Sequence, residues 1–456
     1  MTTTTPVARR VGSNRSLLPA PVTDLLDETA ATRILADAGL TITRAQPDYL
    51  RHKPGETSIV SYRFDTPDRG AEGLGYAQWC ARTERADEIH CKALTLRPRL
   101  SAVGVSTIRV DDHTVFYGFP NDARLRRLRW YTTPRKLKPT LAALTPAGEQ
   151  ISKTDSTSTV LTYKPERRLV TRVDLATTQG SRQSLLVRYT TGRDAPRLAA
   201  IAAALLGNGV QTPTPRAQLD NGSVGVDDFI AGVELRTWVR EHGSVADSLA
   251  DALLTFHRTP HPESTPVRLE PEDLAKAVNG LLALSLWDRD LSRVARQVAD
   301  QLSSKRPTRR RTPTLIHGDL HDKNVLVHDG QPWFIDLERA AMGSPASDLG
   351  LLRAYAISLD IRQPGWSPTA RAHAEQVIDC YQKAAAPGHN DSLDDRTLAW
   401  YCAVALVDQA LLVTRHVEAG WEANTHALLE AAATELDPPT WRPRRDATKH
   451  QGANLS

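Results

Sequence analysis

Cysteine is scarce: four residues (Cys80, Cys91, Cys380, Cys402) in a chain of 456, none in a CxxC pair or another short zinc spacing. That leaves no disulfide framework and no zinc ribbon to expect, and a reducing cytoplasm is the expected home. Long apolar runs are missing as well: no window approaches 18 uninterrupted apolar residues, so no membrane span is expected. The stretch Met1 to Leu18 is Thr-rich and basic without an apolar centre, so it does not read as a secretory signal. Lysine supplies only 11 of the 57 basic residues, an arginine bias that reflects genome composition more than chemistry. There is no GxxxxGK[ST] loop, no HExxH and no GxSxG elbow, and Gly73-Leu74-Gly75 is a dinucleotide fingerprint without its third glycine.

What is present is an ordinary globular composition, 40% apolar and 24% charged, long enough for two or three domains. The net charge of +4 is unevenly spread. Residues 1–150 carry 22 basic and 16 acidic side chains; residues 338–440 carry 7 and 14. An acidic region of that kind would draw a cationic ligand. The one dense basic run, Lys305 to Arg311, has no interleaved aromatics and reads as a solvated loop, so no nucleic-acid partner is expected.

Texture divides the chain. Residues 1–20 and 437–456 read as tails. From about 48 to 235, short β-branched runs alternate with Pro, Gly, Asp and Asn; from about 244 to 436, Ala- and Leu-rich segments follow helical spacing. This predicts an α+β chain of two lobes, β-rich then helical. The β-rich part contains an internal echo: Leu50 to Glu56 resembles Leu161 to Arg167 at an offset of 111, each a strand, a Lys-Pro turn and a strand. A third strand follows in both, Gly75 to Ala81 and Ser184 to Tyr189. After the second copy come a helix (Ala195 to Leu206), a strand near Ser223 to Phe229, and a connector through Gly232 whose main chain is suited to pairing with a flat heterocycle.

Residues 312–350 carry the chemistry. Thr314-Leu315-Ile316 runs into His317-Gly318-Asp319-Leu320-His321-Asp322-Lys323-Asn324, and a hairpin follows: Val325 to Val327, a turn at His328 to Gln331, and Trp333 to Ile335. Hairpin geometry brings Asn324 and Asp336 to the same end, with Asp319 on the loop above. Two carboxylates and a carboxamide meeting there need a cation, and Mg²⁺ takes such oxygen ligands while keeping places for water and phosphate. Phosphoryl transfer uses this set. His257, alone near a helix end, reads as structural.

His317-Gly318-Asp319, Asn324 and Asp336 together resemble the catalytic loop and metal motif of aminoglycoside phosphotransferases, whose protein-kinase-like fold is shared by choline kinases and bacterial maltokinases. The resemblance implies an ATP- and Mg²⁺-dependent small-molecule kinase, with GTP open as donor. Asp319 would be the catalytic base, Asn324 and Asp336 the magnesium ligands, and His317 a support for the loop. Asp348 would be structural. It implies the divisions 21–150 (a cap domain, as in maltokinases), 151–235 (small lobe) and 236–436 (helical catalytic lobe). Where the family has a phosphate-binding lysine on its third strand, this chain has Arg188, with Lys164 in the preceding turn as a possible substitute; the following helix lacks the usual glutamate. Asp227 to Gly232 matches the hinge, so Asp228, Phe229 and Ile230 would meet the nucleotide base. The acidity of residues 338–440 favours a cationic acceptor, an amino sugar or aminoglycoside, with Asp360 and Asp408, and also Asp391, Asp394 and Asp395, as contacts. The alternatives are a maltokinase-type neutral sugar kinase and a catalytically weak pseudokinase or binding module.

Overall fold

The computed structural model describes residues 18–437 except 54, 68–72, 96–98, 126, 133–140, 153, 286–288, 308–311, 366, 386–392 and 417–419. Both expected tails lie outside the described residues, save 18–20 and 437, as do Thr308 to Arg311 of the basic run and Asp391.

The first unit opens with two helices, α1 (Ala20–Leu26) and α2 (Glu28–Asp37). Strands β1 (Arg44–Lys53), β2 (Thr57–Asp65) and β3 (Gly73–Cys80), helix α3 (Thr83–Thr95), and strands β4 (Thr107–Arg109) and β5 (Thr114–Gly118) follow. A short helix, α4 (Leu128–Tyr131), leads to the small lobe. There β6 (Thr157–Lys164), β7 (Arg168–Ala176) and β8 (Arg182–Thr190) are followed by α5 (Ala195–Gly207), β9 (Pro215–Leu219) and β10 (Val224–Asp228).

These two units are copies. Their sheets have the same order, β1-β2-β3-β5-β4 and β6-β7-β8-β10-β9, with a helix after the third strand in both. The register is also kept: Lys53 pairs Thr57 as Lys164 pairs Arg168, Ile59 pairs Gln78 as Val170 pairs Arg188, and Trp79 pairs Thr114 as Tyr189 pairs Val224. Even the turns agree, with positive φ at Gly55 (+70°) and at Glu166 (+59°). A one-residue slip would turn every side chain to the other face, so this agreement is a strong constraint.

Alternation then decides what each face meets. In the small lobe, Leu169, Val173, Leu185, Val187, Tyr189, Val224 and Val226 form a buried face. It is covered by Leu125, Leu128, Tyr131, Leu141 and Ile151 from the segment joining the units. The other face, bearing Arg168 and Arg188, turns toward the helical lobe. In the first unit α1 and α2 cover the equivalent face through Val22, Leu25, Ala31 and Leu35, while α3 packs on the opposite one through Ala86, Ile89 and Ala93. Asp122 ties the units together: its Oδ2 accepts from Tyr163 Oη at 2.8 Å and from the Glu166 main-chain N–H at 2.9 Å.

The helical lobe starts at β11 (Val233–Glu234) and α6 (Leu235–His242), then α7 (Ala246–Arg258), α8 (Glu270–Ser285) and α9 (Arg289–Ser304). Strand β12 (Thr314–Ile316) pairs with β15 (Ala341–Gly343), and β13 (Val325–His328) with β14 (Gln331–Phe334) and β11. Four helices complete it: α10 (Pro345–Arg362), α11 (Ser367–Ala384), α12 (Asp395–His416) and α13 (Trp421–Leu436). Of these, α12 is long and apolar enough to cross a membrane by composition, which a search for uninterrupted runs overlooks; 72% of its apolar window is buried among the helices of this lobe. It is a core helix.

Candidate active site

The HGD loop sits between two antiparallel strand pairs. The register Val325↔Phe334, with a two-residue turn at Asp329 and Gly330 in left-handed conformation (φ +49° and +72°), places Asn324 beside Ile335, whose N–H donates to Asn324 O at 3.0 Å. Asn324 Nδ2 in turn donates to the Asp319 carbonyl at 2.9 Å. Gly318 has φ +72°, and a Cβ there would stand 2.3 Å from the Arg339 carbonyl, so this turn admits only glycine.

Beneath the loop lies Asp348, fully buried on α10. Its carboxylate accepts from the main-chain N–H groups of His317 (2.7 Å) and Gly318 (2.8 Å) and from His257 Nε2 (3.1 Å). Burial would push its pKa up, but these donors hold it below the ordinary value. Tyr381 Oη lies 2.7 Å from the other His257 nitrogen. His257 is therefore structural, through a carboxylate that fixes the loop. His317 is buried too: its Nε2 is 2.9 Å from Ile335 O and its Nδ1 accepts from Asp319 N–H at 3.3 Å, which assigns the neutral Nε2–H tautomer.

Asp336, with φ +59°, follows β14 and faces the small lobe. Arg168 Nη1 stands 3.2 Å from its Oδ2 and 2.7 Å from Glu338 Oε2. Burial alone would raise the Asp336 pKa; Arg168 first, and then Arg188, bring it below the usual range. Lys164 is drawn below its ordinary value by burial and then by Arg168 and Arg167, against the pull of Asp336 and Asp319. Asp319 has Arg339 Nη1 at 3.4 Å. Asp336 thus lies under Arg168, and Lys164 feels both Asp336 and Asp319, an arrangement of cations and carboxylates that suits a polyanionic phosphate chain.

Sequence reasoning missed part of this arrangement. Arg168 is one arginine among many until strand parity puts it on the face of Arg188. The glutamate absent from α5 is replaced from elsewhere: Glu338, two residues after Asp336, lies 3.6 Å from Arg188 Nε, and Asp227 lies 3.7 Å from its Nη2. On α5, Arg197 instead donates to the carbonyls of Glu338 (3.1 Å) and Ala340 (3.2 Å), tying the helix to this loop. At the hinge position, Phe229 lies under the Arg172 guanidinium at 4.5 Å and its N–H is used by Ser184 O (3.0 Å), while Asp228 pairs with Arg216 at 2.8 Å. Ile230 follows in the connector, where it makes no main-chain hydrogen bond among the described residues.

The residues present suit a magnesium ion. Asn324 and Asp336 offer a hard-oxygen pair, and Asp336 is held in its ionised form. Two protein ligands, with phosphates and waters for the rest, is the usual way this ion is bound. Among the described residues no group of three or more His, Cys, Asp or Glu offers an all-protein metal cage.

Beside the loop, a cavity of about 270 Å³ is lined by Arg236, Arg240, Asp322, Tyr355, Thr369 and His373, among others. Tyr355 stacks on His321 of the HGD loop, with ring centres 4.2 Å apart. The expected acceptor contacts are placed differently. Asp408 pairs with Lys276 of α8, and Asp360 lies 3.8 Å from Arg371; neither lines the cavity. Asp394 caps α12 through Thr397 N–H at 2.8 Å, and Asp395 lies 3.5 Å from Gln382 Nε2. These aspartates cap helices and bridge side chains on helix surfaces, a use that composition cannot distinguish from ligand binding.

Comparison with known proteins gives three kinds of result. A family model described as the phosphotransferase enzyme family (APH) matches residues 151–387, more than half of the chain. No curated protein matches. Among solved structures, a choline/ethanolamine kinase family protein from Mesorhizobium loti is 16% identical, with 62% of this chain and 89% of that one covered and a TM-score of 0.42. A spectinomycin phosphotransferase in complex with ADP and spectinomycin is 14% identical, covering 66% and 98%, with a TM-score of 0.46. A thermostable mutant of an aminoglycoside phosphotransferase, in complex with ADP and hygromycin B, is 14% identical, covering 67% and 99%, also at 0.46. The chain belongs to the phosphotransferase enzyme family and is a small-molecule kinase of two-lobed, protein-kinase-like fold.

Proposed function

We propose that the protein transfers the γ-phosphoryl group of ATP to a hydroxyl of a small, uncharged or weakly anionic polyol, such as a neutral sugar. The observation that carries this reading is the meeting of Asp319, Asn324 and Asp336 at one loop end beneath Lys164, Arg168 and Arg188. Asp319 takes the proton of the acceptor hydroxyl and aligns its oxygen for attack. Asn324 and Asp336 would hold magnesium, which would supply charge neutralisation on the phosphate chain. Lys164, Arg168 and Arg188 neutralise the remaining phosphate charge from above. The Ile230 main chain at the hinge pairs with the adenine edge. His317, Asp348 and His257 keep the loop in place and touch no reactant.

The charge of the cavity supports a neutral acceptor over the amino sugar or aminoglycoside that the acidic composition of residues 338–440 suggests. Two arginines and one aspartate, Arg236, Arg240 and Asp322, face the space where that acceptor would sit. Its volume lies just under the roughly 300–1,000 Å³ of common ligand pockets, which suits one sugar ring. An assay of ATP consumption over maltose, glucose, glucosamine, an aminoglycoside and choline tests this. Turnover of a neutral sugar, with KM raised about tenfold or more in Asp322→Asn, is expected. Turnover of the aminoglycoside alone would overturn the assignment.

A further inference from the structure

We propose that the N-terminal repeat holds a second anion site, in the cavity between its β1–β2 turn, the start of α3 and the small lobe, suited to the phosphate groups of a small molecule. The register equivalence gives the location. Lys53 stands at the strand position of Lys164, Thr57 at that of Arg168, and Gln78 at that of Arg188. Arg85 is the third residue of α3 as Arg197 is of α5. The repeat therefore presents, at the same corner of the same sheet, the counterpart of the face that meets nucleotide phosphates in the small lobe.

That corner is open and basic. A cavity of about 450 Å³ is lined by Arg51, Lys53, Arg82, Arg85 and Arg124, against two carboxylates, Glu56 and Glu166. The two carboxylates offset only two of the five cations. Lys53 and Glu56 are 3.8 Å apart and both exposed, and Arg85 turns to Glu88 on the helix surface; pairs of this kind are worth about 0–1 kcal/mol and yield readily. Glu166 is taken by Arg51. A second observation points to a ligand: Gln78 also lines the cavity, is only 7% exposed, and its Oε1 has no hydrogen-bond partner. Leaving a buried amide oxygen without a partner is costly, and with the amide turned end for end its nitrogen faces the cavity and donates to a bound group. A phosphate oxygen accepts from the amide nitrogen and from the guanidinium forks. The repeat is followed by no helical lobe of its own, so this site binds and does not transfer.

Isothermal titration of the full-length chain with inorganic tripolyphosphate, without divalent cation, tests the proposal. Two binding events are expected, one in the catalytic cleft and one here. Arg82→Ala/Arg85→Ala should weaken one of them at least tenfold and leave the KM for ATP in the transfer assay unchanged. Gln78→Glu, nearly isosteric and opposite in effect to a donor, should do the same. Comparing ADP with pyrophosphate, and hexose 6-phosphate with inorganic phosphate, identifies the source of the phosphate by which organic group adds affinity at this site. A single binding event in the unmodified protein, or a second event that neither variant affects, would overturn the proposal.

Discussion

Asp348 makes three hydrogen bonds from full burial, two of them to consecutive main-chain N–H groups of the HGD loop. Asp348→Ala should leave those donors and His257 unsatisfied at once, costing about 3–5 kcal/mol in urea denaturation. His373, on the wall of the cavity beside the HGD loop, gives a pH signature. Burial brings its pKa down to about 4, from an ordinary value of about 6.5. Between those values the unfolded chain takes up a proton that the folded chain refuses, so stability falls as pH drops through the window, by about 3 kcal/mol in all. The difference in urea midpoint between the unmodified protein and His373→Gln should change across that window and level off outside it. At this scale the sequence was legible where chemistry demands fixed types at short spacing, as in His317, Asp319, Asn324 and Asp336. Arg168, Glu338 and Arg197 were not legible, because their roles depend on which face of a strand or helix they share.

Among the elements, the duplicated sheet organises the molecule. The echo at Lys53 and Lys164 was visible because hairpin turns constrain residue type; the rest of the repeat has diverged in sequence and kept its register. The faces diverged because their partners differ: α1 and α2 cover one copy, and Leu125, Leu128, Tyr131, Leu141 and Ile151 the other. That cover supports the lobe that carries Arg168 and Arg188. Leu128, fully buried against the small-lobe sheet, should cost about 2–5 kcal/mol when replaced by alanine, read as a lowered denaturation midpoint. In the basic stretch around Leu125 and Leu128 both leucines are buried, and Arg127 pairs with Asp220 at 2.8 Å.

Across the whole chain, charge proved a poor guide until it was placed. Among the described residues of 338–440, Asp394 caps a helix and Asp360 and Asp408 sit in ion pairs, whereas the cavity beside the HGD loop is edged by Arg236 and Arg240. The same regional bias at the N-terminus does gather into a cavity, between the repeats. Sequence sums over a hundred residues cannot separate these cases, because folding decides which charges face one another. The proposed catalytic centre joins both lobes: Asp319, Asn324 and Asp336, the proposed base and metal ligands, belong to the helical lobe, and Lys164, Arg168 and Arg188 to the second sheet. The most direct test of that assembly is steady-state turnover of Asp319→Asn with Mg-ATP and an acceptor that the unmodified protein phosphorylates. In this variant kcat should fall by about 10²–10⁴-fold, with the KM for ATP within about threefold. A kcat within about threefold of the unmodified value would contradict it.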